Sequence, residues 1–332
     1  MPMSATSYIN GLGRYVPPRA VSNADLEKLV DTSDEWITAR TGIKVRHIAE
    51  KGQPSSDLAY EASKRALEHA GIEPGELTHV LVATCTPDSY CPNTASMLAH
   101  RLGVGTPMAM DINAACTGFL YSLEIARSLL CTYPDAKVLV TASEVLSSRT
   151  NWADRSTCVL FGDGAGAAVL TNKPTGELPF SVGPMQLRSD GQYADLLTIK
   201  GGGSATPYTL GETVREDFFI TMEGREVFKQ AVRNMASLCK ELLEKAGMDI
   251  NDVDLLVPHQ ANLRIIEALG NRLKIDRNKV FSNVQKYGNT SAASIPIALT
   301  EGIEQGILAK GDSVLVTSFG AGLTWGAGLL QA

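Results

Sequence analysis

The chain repeats itself, and the repeat restricts the folds open to it. EHAGIEPGELTHVLV at 68–82 matches EKAGMDINDVDLLVP at 244–258, and AKVLVTASE at 136–144 matches GDSVLVTSFG at 311–320. Gly71 and Gly247, Leu77 and Val253, and Val138 and Val314 are each separated by 176 positions. One offset held at three places implies a duplication, with halves at 1–174 and 175–332, each ordered helix, strand, helix, strand, helix, strand.

In the first half, 57–70 reads as a helix with Leu58, Ala62, Ala66 and Ala70 on one face and Gly71 as its stop. A strand at 80–84, a helix at 94–101, a strand at 108–112, a helix at 117–130 and a strand at 137–141 follow. In the second half, Phe228, Ala231, Val232, Met235, Leu238, Leu242 and Ala246 mark a buried helical stripe closed by Gly247. Strands at 253–257 and 313–317 and helices near 262–273 and 292–307 complete it. Short apolar strands alternating with helices predict an α/β protein of parallel sheets covered on both faces, the two sheets stacking through shared helices about a pseudo-twofold.

In open α/β sheets ligands bind beyond the carboxyl ends of the strands. Cys116 in DINAACTGF follows the 108–112 strand, His259 in LLVPHQAN follows the 253–257 strand, and Asn289 in YGNTSAAS precedes the last helix. The position 176 residues before Asn289 is 113, three from Cys116, so a pseudo-twofold brings thiol and carboxamide face to face. Cys116 also stands before a helix whose Leu120, Leu123, Ile125 and Leu130 mark a buried face. Unpaired N–H groups at such a helix start predict a lowered thiol pKa. Taken singly, a core cysteine, a structural histidine and a turn asparagine would account for these residues. Together, with Gln260 and Asn262 beside His259, they form a kit for covalent thioester chemistry. The order Cys, His, Asn also describes a papain-like protease; the missing C-G-x-C-W context and the duplication argue against it.

Composition removes other classes. A net charge of −6 and a pI near 5.5 do not suit a nucleic-acid or anionic-membrane binder, so a polyanionic ligand needs a local basic patch. No apolar run reaches the ~18 residues of a spanning helix. The opening MPMSATSYINGLGRY lacks a basic segment followed by an apolar core, so a cytoplasmic location is expected. Six cysteines without a C-x-x-C pair and five scattered histidines predict free thiols and no metal site. FGDGAGA at 161–167 reads G-x-G-x-x-A but lacks a following helix, and is expected to be a glycine turn between strands TCVLF and AAVLT.

With WITARTGIKVRHIA at 36–49 and FGAGLTWGAGLL at 319–330, the motifs around Cys116, His259 and Asn289 resemble the β-ketoacyl-acyl-carrier-protein synthase III family. These are the initiating condensing enzymes of bacterial fatty-acid synthesis. The resemblance spans essentially the whole chain. It implies a thiolase-like, internally duplicated fold with two stacked mixed sheets and helices between and outside, and a homodimer. It further implies that Cys116 is acylated by an acyl-CoA, and that His259 and Asn289 hold the thioester carbonyl of malonyl-acyl-carrier protein as CO2 leaves. The oxyanion would rest on the N–H groups of Cys116 and Gly322. Trp36 and Arg155 would sandwich the adenine of coenzyme A, with Thr32 and Arg40 on the nucleotide and phosphates, and Ala261 and Asn262 along the pantetheine arm. Lys229 and Arg264 would help dock the acidic carrier protein. No permanently bound cofactor is implied, coenzyme A thioester being substrate.

Two positions depart from that pattern. Cys91 stands where the family often has a bulky residue that limits the acyl pocket across the dimer, which opens the way to a longer or branched primer. Ser156 stands where glycine is common, beside the adenine site. The rival readings are a condensing enzyme that uses coenzyme A for both substrates and a non-catalytic acyl-carrier binding protein.

Overall fold

Among the described residues, apolar runs become the nine strands of the main sheet: β1 (Ser7–Tyr15), β2 (His79–Ala83), β3 (Met108–Ile112), β4 (Val138–Glu144), β5 (Gly164–Thr171), β6 (Phe180–Ser189), β7 (Leu255–Pro258), β8 (Ser313–Gly320) and β9 (Thr324–Gln331). The main helices are α1 (Asp34–Thr41), α2 (Ser55–Ala70), α3 (Thr94–Leu102), α4 (Gly118–Thr132), α5 (Gly224–Ala246), α6 (Leu263–Leu273) and α7 (Ser294–Glu304). The computed structural model describes residues 7–332; residues 1–6, where the leader reading begins, lie outside the described residues. No helix among the described residues is long and apolar enough to cross a membrane.

The strands hydrogen-bond in the order β7-β8-β9-β6-β1-β5-β4-β2-β3. The halves touch along β1 and β6 over only three residue pairs, Ser7 to Ile9 against Phe180 to Val182, so the two stacked sheets are continuous through a narrow seam. Outer helices α2 and α3 cover the first half-sheet and α5 and α6 the second, while α4 and α7 pack between them, each touching strands of both halves. Phe119, Leu120, Leu123, Ile295 and Ile297 of these central helices are fully buried, and each such side chain contributes roughly 1.5–3 kcal/mol.

The expectation of parallel sheets is corrected: only β2–β3, β2–β4 and β7–β8 are parallel. A parallel pair needs a crossover, and no α-helix separates β4 from β5 or β8 from β9, so those strands return antiparallel. FGDGAGA is not a hairpin turn. Residues 157–160 form turns, Phe161 makes a single bridge to Asn289, and Gly164 and Gly166 lie inside β5. These glycines serve close approach instead: a Cβ on Gly162 would lie 2.3 Å from the Tyr287 carbonyl oxygen, and one on Gly166 2.7 Å from Pro296. On α5 the stripe holds from Ala231 to Leu242, but Ala246 is exposed and Phe228, only partly buried, packs at the edge of that core.

The 176-residue offset extends to backbone conformation. α2 and α5 end at Gly71 (φ 63) and Gly247 (φ 69), and α4 and α7 begin at Gly118 and Ser294. Before each central helix lies a 3-10 turn, Ala115–Thr117 and Ser291–Ala293, whose first residue is left-handed: Ala115 at φ 45, Ser291 at φ 50. A non-glycine residue there costs about 1–3 kcal/mol, so the surrounding structure must enforce it. Asparagine does so in both halves: Asn113 Oδ1 accepts the Ala115 N–H at 3.3 Å and Asn289 Oδ1 accepts the Ser291 N–H at 2.9 Å.

Candidate active site

Cys116 sits in the turn that opens α4 and is 8% exposed. Ser318 Oγ of β8 donates to its carbonyl oxygen at 2.7 Å, and Thr324 Oγ1 of β9 donates to the Ala114 carbonyl at 3.1 Å, clamping the turn to the β8–β9 hairpin. Gly320 makes the clamp possible: a Cβ there would lie 2.7 Å from Cys116 N. Burial pushes the thiol up to about 12, with the Glu144 carboxylate adding to the effect. The lowered thiol pKa expected from the helix start is therefore corrected: desolvation outweighs the N–H groups.

His259 follows β7, with its N–H on the Thr317 carbonyl at 2.8 Å, and is 3% exposed. Burial lowers its ring to about 3, so it is neutral at physiological pH. Its Nδ1 lies 2.6 Å from Ser294 Oγ, which already accepts the Gln260 N–H at 3.3 Å. Ser294 Oγ has no other acceptor among the described residues, so the hydroxyl donates to Nδ1 and the ring proton belongs on Nε2. Asn289 is held by its own backbone, N–H to the Leu160 carbonyl and carbonyl to the Gly162 N–H, with Oδ1 occupied by Ser291. Its amide nitrogen is left as a donor.

Cys116, His259 and Asn289 line one cavity of about 580 Å³. They form its buried end. At the other end stand the exposed Arg40, Arg155, Arg225 and Arg264 with half-buried Trp36, a local basic rim on an acidic protein. The Arg155 Cζ lies 5.0 Å and the Arg40 Cζ 4.5 Å from the centroid of the Trp36 ring. A base between two planes needs two van der Waals layers, about 7 Å, so the Trp36–Arg155 slot must open by roughly 2 Å to admit one. Arg155 donates to the Asp31 carbonyl at 2.7 Å, and Ser156 is tied to Asp154. Thr32 does not line the cavity; its buried hydroxyl has no partner. Ala261 and Asn262 do line it, although Asn262 also caps α6, accepting the Arg264 N–H at 2.8 Å.

Besides Thr32, three expected positions lie elsewhere. Gly322 is not on the cavity wall; on that hairpin Phe319 lines the cavity and Gly320 touches Cys116. Cys91 is exposed beside an exposed Tyr90 and does not reach the cavity of its own chain. Lys229 is exposed and pairs with Glu226 at 3.6 Å. Sequence reasoning missed Ser294, Ser291 and Glu144. The first two lie inside YGNTSAAS, and Glu144 is a carboxylate ending an apolar strand, a pattern visible in the chain itself.

Two family models match the chain: 3-oxoacyl-[acyl-carrier-protein (ACP)] synthase III over residues 110–191 and 3-oxoacyl-[acyl-carrier-protein (ACP)] synthase III C terminal over 243–332. The β-ketoacyl-[acyl-carrier-protein] synthase III of Oleidesulfovibrio alaskensis is 56% identical over 329 residues, covering 99% of this chain and 100% of the relative. That of Nitratidesulfovibrio vulgaris is 53% identical over 334 residues, with 99% and 100% covered. The chain belongs to the β-ketoacyl-[acyl-carrier-protein] synthase III family. It is a condensing acyltransferase with the fold of that family. The crystal structure of the Aquifex aeolicus family member superposes with a TM-score of 0.88 at 46% identity, covering 98% of this chain and 100% of the other.

Proposed function

We propose that this enzyme primes fatty-acid synthesis: Cys116 takes the acyl group of an acyl-CoA, and the acyl-enzyme condenses with malonyl-acyl-carrier protein to give 3-ketoacyl-carrier protein, CO2 and coenzyme A. The observation that carries the reading is that Cys116, His259 and Asn289 share the buried end of a single cavity whose open end is ringed by arginines. The first half of the chain, 1–174, supplies the nucleophile and the second, 175–332, the two donors.

In the acylation half-reaction the rim binds coenzyme A. Arg40 and Arg155 meet its phosphates and base, and Trp36 offers a stacking face, while Thr32 stays off the cavity wall. Ala261 and Asn262 flank the pantetheine arm. After coenzyme A leaves, the malonyl thioester enters the same cavity. Its carbonyl oxygen accepts from His259 Nε2–H and the Asn289 amide, so the enolate left by CO2 is stabilised where water is excluded. The enolate attacks the Cys116 acyl carbon, and the resulting oxyanion rests on the Cys116 N–H. Gly322, off the cavity wall, is a weaker partner for it than its sequence suggested. Arg264 and Lys229 steer the acidic carrier protein, an effect that salt weakens. The enzyme works as a cytoplasmic homodimer, in which Cys91 of one protomer meets the acyl pocket of its partner and leaves room for longer or branched primers.

Intact-protein mass spectrometry with a panel of acyl-CoA primers tests this reading. The expected result is one acyl adduct, mapped to Cys116 and discharged by malonyl-carrier protein less readily as salt rises. An adduct on another residue, or one that malonyl-carrier protein cannot discharge, overturns it.

Ser294→Ala checks the histidine tautomer. Leaving the buried Nδ1 unpaired costs about 1–3 kcal/mol. Decarboxylation is expected to slow by roughly tenfold to a hundredfold, with acylation unchanged. Equal losses in both half-reactions would assign Ser294 a merely structural role.

A further inference from the structure

Glu144, at the end of β4, is fully buried and faces no lysine, arginine or histidine partner among the described residues. Only neutral groups reach it: Thr86 Oγ1 donates at 2.8 Å, Ser291 Oγ at 3.0 Å, Cys85 N–H at 3.1 Å and Cys85 Sγ at 3.3 Å, with Thr84 Oγ1 at 3.4 Å. An uncompensated carboxylate in the interior is costly, and beside a nucleophile it calls for a role. Ser291 is the link. Its hydroxyl donates to Glu144 Oε1 at 3.0 Å, from a left-handed turn that packs against the turn carrying Cys116.

We propose that Ser291 and Glu144 take up and store the proton that leaves Cys116 when the thiol is acylated. The inference rests on the reading of Cys116 as the acylated nucleophile. His259 is a poor acceptor for that proton. Ser294 occupies its Nδ1, and burial drives its ring down to about 3 while driving the thiol up to about 12, so transfer between them is steeply uphill. Burial raises the Glu144 carboxyl instead, against the lowering effect of the hydrogen bonds from Thr86, Cys85 and Ser291.

The step balances. The Cys116 S–H bond breaks as Ser291 Oγ takes the proton, and the Ser291 O–H bond breaks as Glu144 Oε1 takes its own. The sulfur pair forms the bond to the acyl carbon. Coenzyme A departs as thiolate with the pair of the broken C–S bond and is protonated by solvent. After condensation the C–Sγ bond breaks, and the Cys116 thiolate recovers the stored proton by the reverse path. The acyl-enzyme thus holds a neutral carboxylic acid, and the site carries no surplus charge while the malonyl group reacts.

The ionisable groups facing Glu144 are the Cys85 thiol, beyond β2, and the Cys116 thiol, before α4; the 291 turn and β4 contribute none. The test is the pH dependence of Cys116 alkylation by iodoacetamide, mapped by peptide mass spectrometry between about pH 6 and 10, in the native enzyme, Glu144→Gln and Ser291→Ala. Alanine at 291 keeps the backbone, since Ala115 adopts φ 45 at the equivalent position of the first half. In the native enzyme the rate is expected to level off once Glu144 is ionised. In both variants it should fall on the order of 100-fold at neutral pH and climb about tenfold per pH unit, following hydroxide alone. Acylation by acetyl-CoA should fall in parallel. Iodoacetamide needs no coenzyme A site, so failure of the acyl-CoA reading leaves this arm intact. Native rates with a native pH profile in both variants would overturn the relay.

Discussion

Replacing Cys116 by alanine is expected to abolish the acyl-enzyme and lower turnover by a factor on the order of 10⁶. The loss is chemical, not structural. The contacts that place residue 116 are made by its backbone: the carbonyl that accepts from Ser318 and the N–H that lies against Gly320. Alanine keeps both and leaves the left-handed Ala115 undisturbed. Truncation removes one sulfur atom at the end of a cavity, where little packing is lost. Coenzyme A binding at the arginine rim should survive, because that rim is at the opposite end. Calorimetry with coenzyme A and intact mass spectrometry after acyl-CoA addition separate the two functions. Residual acylation of C116A at any other side chain would contradict the assignment of the nucleophile.

Removal of either donor should slow decarboxylation; His259→Ala should leave acylation intact, whereas Asn289→Ala also releases the Ser291 N–H that Asn289 Oδ1 holds. His259→Ala and Asn289→Ala are each expected to cost about 10²–10³ in the decarboxylation rate, the usual loss for one donor to a developing oxyanion. Because both donors serve one oxygen, the double variant should lose less than the product of the two. Fully multiplicative losses would place them on different atoms. The pH profile adds a check. The ring stays neutral down to about 3, so His259 contributes no acid limb to the rate near neutrality. Its effect on folding has a definite sign: the unfolded imidazole, near 6.5, binds a proton that the native one refuses, so stability is lost as pH falls from about 6.5 toward 3. H259A should lose less stability than the native protein over that window. Urea midpoints at neutral and acid pH measure it, and parallel losses in the two proteins would show that the ring is not held neutral by burial.

Periodicity and the constant offset were legible because they are properties of neighbouring residues. Apolar spacing marked α2, α4 and α5, glycine marked the ends of α2 and α5, and the repeat of 176 placed Cys116 and Asn289 at nearly equivalent junctions. Strand direction was not legible, since the hairpin return of β9 onto β8 depends on what is missing between them, a crossover helix. The thiol pKa misled for a related reason. A helix start can be read locally, but desolvation of Cys116 is produced by segments hundreds of positions away, among them Ser318 and Gly320.

By itself the sequence determined the duplicated α/β plan, the family, and the three side chains at strand and helix junctions. Tertiary structure alone decided how those side chains are held and charged. Ser294 meets His259 across 35 positions and Ser291 meets Glu144 across 147, contacts that no local pattern encodes. Residue type limits what chemistry is possible. Burial and hydrogen-bond partners, set only when distant segments close on one another, decide which proton sits where.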